Sequence, residues 1–400
     1  MEKTENQSAW KLMLLAAAIL MITMGIRQSV GLFIYPLTMS TGLGIVSISF
    51  ALAIGQFIWG LAQPIFGILA DKKGSFAVLA SGGILLAAGQ LLTIWADSQW
   101  LLILSLGILG PFGAGAGSFS VLIGATSGRL PLKKRSFAGG FINAGGSFGQ
   151  FVFAPLSQFL IGTFGWISAM VALAGSALLT IPLARSLCPP GAEIASRPVA
   201  KVEGEESMKE TVLRACRNPS YLLLHAGFFT CGFHVAFLVT HLPGEVALGG
   251  HGASVSAVSL GIIGLFNIAG SLLAGTLGNY FKMKYILAVM YASRAIMIAL
   301  FVLAPKTELV FYIFAAGTGF TWLATVPPTA GIVGKLFGTR YLATLFGLTL
   351  LTHQIGAFLG AWLGGVAVAN EGSYLWVWYA DIGLAALAAV VNLPIKEPDV

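Results

Sequence analysis

Four hundred residues carry 57% hydrophobic side chains, only 9% charged ones and a formal charge of +7. A soluble domain has roughly a quarter charged residues, so this chain cannot cover a water-facing surface, and its mean hydropathy of +0.88 excludes disorder. Three cysteines exclude a disulfide framework and a cysteine metal centre; no nucleic acid, metal or cofactor is expected, and the first partner is the lipid bilayer.

A spanning helix needs about 20 mostly apolar residues. Such stretches run over 12–36, 46–70, 76–96, 100–127, 137–160 and 164–184. A second set follows at 219–243, 254–280, 284–304, 308–333, 341–367 and 373–393. The first stretch is too long for a signal peptide and is kept as a span. The prediction is an all-α integral membrane protein with twelve transmembrane helices. The polar segment between the sets holds Pro189, Pro190, Gly191, Glu203, Glu205, Glu206, Lys209 and Arg214. It reads as a solvated linker with one short amphipathic helix around Glu205–Arg217. The chain therefore divides into an N-terminal bundle over 1–184, a linker over 185–218 and a C-terminal bundle over 219–400.

Cytoplasmic loops retain lysine and arginine. With both termini and the linker inside, all but three of the 22 cations fall on the inner side. The exceptions are Lys306 outside, and Arg27 and Arg294 within spans. The expected location is the plasma membrane, with both termini cytoplasmic.

The two sets of six read as copies. Gly25, Arg27 and Pro36 of span 1 are matched by Gly232, His234 and Pro243 of span 7, each 207 residues on. The turn Gly67-Ile-Leu-Ala-Asp71-Lys72-Lys73-Gly74 is matched at Gly275–Lys282, and Arg135-Ser-Phe-Ala138 at Arg340-Tyr-Leu-Ala343. Repeats of this kind typify secondary transporters whose substrate lies at mid-membrane between the halves.

The turn Gly67-x-Leu69-x-Asp71-Lys72-Lys73-Gly74 resembles the loop signature of the major facilitator superfamily, placed after span 2 as in that family. Lys133-Lys-Arg-Ser-Phe-Ala138-x-Gly140-x-x-x-Ala144-Gly145-x-Ser147 resembles the span-5 signature of its monocarboxylate-porter-like branch. Arg27, within Gly25-Ile-Arg27-Gln-Ser-Val-Gly31, stands where that branch carries a span-1 cation. The resemblance implies two pseudo-symmetric six-helix bundles around a central cavity, alternating access, and an aspartate (Asp71) that latches the halves in one state. It also implies gating roles for Lys72, Lys73, Arg135 and Arg340. Proton-coupled members of the branch have an acid and an arginine four apart in span 8, and Gly264-Leu-Phe-Asn267-Ile268 has neither. Proton coupling through histidine, anion exchange and uniport all stay open.

Ionisable groups in a bilayer are costly and mark function or pairing. Arg27 lies mid-way along span 1, where a guanidinium would bind a carboxylate through two parallel hydrogen bonds. His234, its repeat-mate, could bind substrate or carry a proton. Asn143, Asn267, His353 and Gln354 are further cavity candidates by span number. Arg294 and Asp381, on spans 9 and 12, are expected to form a buried ion pair. Asp381 is the one carboxylate deep in a span; Glu245 is placed at an outer end. Gly113-Ala-Gly115-Ala-Gly117 reads as a close-packing stripe rather than a dinucleotide fingerprint. Trp10, Trp166, Tyr374 and Trp376 read as interfacial anchors. No catalytic set appears, so no enzyme is expected. The reading is a secondary active or facilitative transporter of a small, monocarboxylate-like organic anion, acting as a monomer. An exporter of another small molecule, or a transport-dead receptor or scaffold, is the alternative.

Overall fold

The computed structural model describes residues 2–127, 129–130, 132–189, 207–278, 280–338 and 341–398. The side chains of residues 2–8, Asp71, Ser127, 132–136 and Ala343 also lie outside the description. Asp71, Arg135 and Arg340 are thus sequence expectations that fall beyond the described side chains.

Among the described residues, eleven helical segments are long and apolar enough to cross a membrane. Span 1 is Ala9–Thr41, span 2 Ile45–Ala70, span 3 Ser75–Thr93 and span 4 Gln99–Thr126. The next, Phe137–Leu187, has 51 residues. As one rod it would be roughly 75 Å long, more than twice a hydrocarbon core of about 30 Å. Gly165 breaks it with φ 82° and ψ 162°, a conformation open to glycine and strained for other residues. Residues 137–164 are therefore span 5 and residues 166–187 span 6. Spans 7 to 12 are Pro219–Leu248, Ala253–Leu277, Met283–Leu303, Glu308–Phe337, Thr344–Glu371 and Leu375–Asn392. Twelve crossings put both ends of the chain on one side, called the near side below. The far side is where span 1 ends at Thr41.

Among the described residues, spans 1, 4 and 10 are interrupted in mid-membrane, and span 6 has a single turn residue at Leu179. Span 1 is helical to Gln28, passes through a 3-10 turn at Val30–Phe33 and resumes as Ile34–Thr41. Span 4 contains a π-helical stretch, Ile103–Leu109, and breaks at Gly117–Ser118. Span 10 breaks over 322–325, just before Pro327 and Pro328. The breaks in spans 4 and 10 stand at equivalent points of the repeat, about 205 residues apart.

Packing carries the repeat into space. Gly25 of span 1 lies against Gly149 and Phe153 of span 5, and its mate Gly232 of span 7 lies against the backbone of His353 on span 11. The small-residue stripe of span 4 does what its spacing suggests. Gly113 abuts span 3 at Gly82 and Leu86, Gly115 abuts Ala62 of span 2, and Gly117 abuts Thr23 of span 1. In lipid, close backbone approach of this kind supplies the packing that water would otherwise drive.

The halves meet along two seams. On one, Gly60 of span 2 receives the side chain of Gln354 of span 11. On the other, Gly264 of span 8 receives span 5 at Ser147, Gln150 and Phe151. Gly60 and Gly264 are 204 residues apart, as are Gln150 and Gln354, so the seams are two copies of one arrangement. Further contacts lie towards the far side: Gly31 against the Val239 carbonyl, Ser49 against Gly365, and Phe50 edge-on to Trp362 at 5.7 Å.

Candidate functional site

Arg27 sits in the last turn of the first half of span 1, where a helix C-terminus favours a cation. The Ser29 hydroxyl donates to the Gly25 carbonyl at 2.8 Å, taking up one acceptor at the break. The guanidinium reaches span 2. Its Nη2 donates to Oε1 of Gln56, and its carbon lies 3.9 Å from the centroid of the Trp59 ring. Both partners are neutral, and no carboxylate of the described residues pairs with it. Gly60, the next residue on span 2, receives Gln354, whose two amide atoms are buried without a protein partner among the described residues. Trp59 Nε1 is likewise a buried donor without a partner. Arg27, Gln56, Trp59 and Gln354 thus share one stretch of the seam between spans 1, 2 and 11. Sequence reasoning missed Gln56 and Trp59; a census of every uncharged polar side chain within the spans would have raised Gln56.

His234 is different. It is fully buried, and Nδ1 lies 2.6 Å from Oδ2 of Asp381 on span 12. Its ring is 6.0 Å from that of Trp322. The expected Arg294–Asp381 ion pair is therefore corrected. Asp381 is held by His234, and Nη2 of Arg294 donates to the carbonyls of Thr321 and, at 3.1 Å, Trp322. The cause is the break in span 10, which frees those carbonyls beside a cation that needs acceptors.

Asn267 is also enclosed. Its Nδ2 donates to Ser147 Oγ at 2.8 Å, and its Oδ1 accepts from Leu323 N–H at 3.0 Å and from Ser271 Oγ at 3.2 Å. His353 is buried with its ring 4.9 Å from that of Phe228, and Asn143 is half-buried on span 5. Glu245, expected at an outer end, lies in the last turn of span 7, which ends at Leu248, and it accepts from Trp378 Nε1 at 3.1 Å. Tyr374 is 1% exposed rather than an exposed anchor. Trp10 does stand exposed, edge-on to Phe137 and Phe141. Gly74 turns the chain with φ 89° and ψ 146°, with Lys72 and Lys73 exposed before it, whereas Gly67 faces open space. The short linker helix is present as Met208–Cys216, with Ser207 and Glu210 forming a capping box.

A groove of about 660 Å³ opens between spans 8, 9 and 10. Its lining includes Phe266, Val289, Met297 and Phe320, and none of the residues around Arg27. The polar site is elsewhere.

Two interrupted helices at equivalent repeat positions, and polar groups gathered at the seams between two six-helix bundles, are the architecture of a transporter. The sequence matches the Major Facilitator Superfamily over residues 13–361. The chain belongs to that superfamily. It is 26% identical to Monocarboxylate transporter 13 of Rattus norvegicus, covering 98% of this chain and 90% of that protein. It is 25% identical to the Oxalate:formate antiporter of Oxalobacter formigenes, covering 91% and 86%. Among solved structures, the D-xylose-proton symporter matches with a TM-score of 0.74 at 13% identity, over 98% of this chain and 99% of that one. The inward-open conformation of the xylose transporter XylE from E. coli matches with the same score and identity, over 98% and 97%. At 13% identity these show the fold alone. The protein is a multi-pass membrane transporter of a small molecule, not an enzyme, with two pseudo-symmetric six-helix bundles.

Proposed function

We propose that the superfamily member carries a small, monocarboxylate-like organic anion by alternating access, with Arg27 as the group that holds it. The carrying observation is the environment of Arg27: a cation at mid-membrane engaged by a neutral amide and an aromatic face, with no acid paired to it. An isolated charge in low dielectric is costly, and an anion lowers that cost. Gln354 and Trp59 Nε1 add hydrogen-bonding groups next to it. The relatives named for monocarboxylates, oxalate and formate support the same class. His353 and Asn143 are kept as secondary contacts.

In this reading residues 1–184 and 219–400 move as two bodies joined by the cytoplasmic segment 185–218, within the plasma membrane, as a monomer. The named inter-half contacts lie at the level of Gly60 and Asn267 or beyond it towards the far side, so the far side is sealed. With the near side cytoplasmic, that is an inward-facing state.

The test is a thermal-shift screen of organic acids against purified protein, since a ligand of the folded state raises its apparent stability. Arg27→Lys is expected to weaken the best hit by losing bidentate geometry, and Arg27→Gln to abolish most of it. A best ligand that is neutral or cationic, or normal binding to Arg27→Gln, would overturn the reading. A folded protein that binds such acids but shows no counterflow of label in proteoliposomes would be a receptor instead.

A further inference from the structure

Asn267 joins two things that are otherwise separate. Through Nδ2 it is bonded to Ser147 in the opposite half, and through Oδ1 it accepts the N–H of Leu323, inside the break of span 10. The side chain is 1% exposed and Ser147 is 6% exposed, so neither bond has water as a ready substitute. Span 8 transmits force well at this point. Gly264, one turn away, sits against span 5, and Gly270 sits directly against the Phe320 carbonyl of span 10. The other edge of the break is fixed from span 9, by Arg294 on the carbonyls of Thr321 and Trp322. Cys231 of span 7 also bonds the break, at the Trp322 carbonyl and the Thr325 hydroxyl; among the described side chains hydrogen-bonded to the break, Asn267 is the one with a hydrogen bond to the other half as well. The equivalent break in span 4 is held from within its own half, by the Thr23 hydroxyl on the Gly117 carbonyl at 3.2 Å.

We infer that Asn267 is a positioning residue that couples closure of the span 5–span 8 seam to the shape of the broken span 10. While the far side is closed, the Ser147 hydroxyl fixes the amide so that its oxygen caps Leu323 N–H. When spans 5 and 8 separate, the amide loses that anchor, and the break in span 10 loosens with it. The inference builds on the alternating-access reading, and its test uses no substrate, so it stands or falls independently of the anion assignment.

The experiment uses the full-length protein with the exposed thiol removed (Cys216→Ser) and Ser49→Cys as a reporter in the far-side seam. Ser49 is fully buried against Gly365 in this state. Ser147→Ala removes one hydrogen bond from the closed state only. Maleimide labelling of Ser49→Cys is then expected to rise about two- to tenfold, the equilibrium equivalent of one hydrogen bond. Amide exchange of the segment 322–326 is expected to rise in parallel. Asn267→Ala should produce both effects, with exchange at 322–326 raised further because the acceptor itself is gone. Unchanged labelling in Ser147→Ala would overturn the inference. So would faster labelling with unchanged exchange at 322–326, since the seam would then open without reaching span 10. If Asn267→Ala does not fold, Ser147→Ala still decides the matter.

Discussion

Arg27 and His234 occupy the same place in two copies of one six-helix unit, 207 residues apart, and their surroundings are opposite. Span 1 presents its cation to neutral groups of span 2. Span 7 presents its imidazole to a carboxylate of its own half, 2.6 Å away and sealed from solvent. Arg294, the second intramembrane cation, is likewise absorbed by carbonyls of span 10. In the C-terminal half His234 and Arg294 each meet oxygen atoms of their own half, while Arg27 of the N-terminal half meets a neutral amide and an aromatic ring and, among the described residues, no acid. Shared architecture therefore says where a site lies, and only the local partners say which half holds the ligand's charge.

The comparison breaks most visibly at Asp381. Asp381→Ala would leave the buried His234 imidazole without its hydrogen-bond partner; losing such a bond costs about 1.5–3 kcal/mol, to which the emptied space between spans 7 and 12 adds. The expected outcome is a large drop in the thermal midpoint of the purified protein, with any surviving folded fraction still binding the anion. A stable Asp381→Ala variant that had lost binding would move the site to the C-terminal half.

Arg27→Gln comes next. Losing a charge-assisted hydrogen bond costs about 1.5–3 kcal/mol, so affinity for the anion should fall roughly ten- to hundredfold while the midpoint of the unliganded protein is maintained. Titration by thermal shift separates the two quantities.

A smaller effect is expected at the near-side rim. After span 12 the chain folds back. Glu397 Oε1 lies 2.7 Å from Nζ of Lys335, Oε2 accepts from Lys284 N–H at 3.0 Å, and Lys396 N–H donates to Ser220 Oγ at 2.9 Å. The corresponding point of the N-terminal half is tied, among the described residues, by Arg129 to the Leu187 carbonyl. Glu397→Ala leaves a half-enclosed ammonium and a backbone N–H unpaired, at about 1–3 kcal/mol. Hydrogen exchange should rise at the near-side ends of spans 9 and 10 and stay constant in spans 1–6.

The smallest effect concerns the linker helix Met208–Cys216. The Ser207 backbone N–H, and then its hydroxyl, hold the Glu210 carboxylate below the ordinary carboxylate range. A depressed folded-state value means that the cap stabilises the helix above the unfolded carboxylate's range and is lost as pH falls through the folded one. Acidification should therefore fray this helix before the spans change. Glu210→Gln should remove the pH dependence in exchange measurements corrected for intrinsic rates.

Much of the frame was legible in the sequence because membrane crossings and repeats are written in long apolar runs and fixed offsets. The split between spans 5 and 6 was legible too, since Gly162 and Gly165 interrupt an apolar stretch too long for one crossing. Partner choice was not. Whether Asp381 meets Arg294 or His234 depends on how three helices are rotated about their axes, and one sequence does not encode that. The break in span 10, just before Pro327 and Pro328, was not read from the sequence either, nor was its consequence, that the freed carbonyls would claim Arg294. Gln56 and Trp59 escaped because an uncharged side chain in a span is common, and only the reach of Arg27 singles them out.

The two glycine–glutamine seams have a consequence for ancestry. Each joins the second span of one half to the fifth span of the other: Gly60 to Gln354, and Gly264 to Gln150. A six-span unit that carries both the glycine and the glutamine is complementary to itself. Two separate copies about a two-fold axis would form both joints at once, as an isologous dimer does. Identical subunits, however, must carry identical side chains, so an arginine in one would appear in both, and the paired cations would repel each other. Linking the copies in a single chain removes that constraint. Residue 27 of one unit can then remain an arginine while its counterpart, residue 234, becomes a histidine tied to an aspartate.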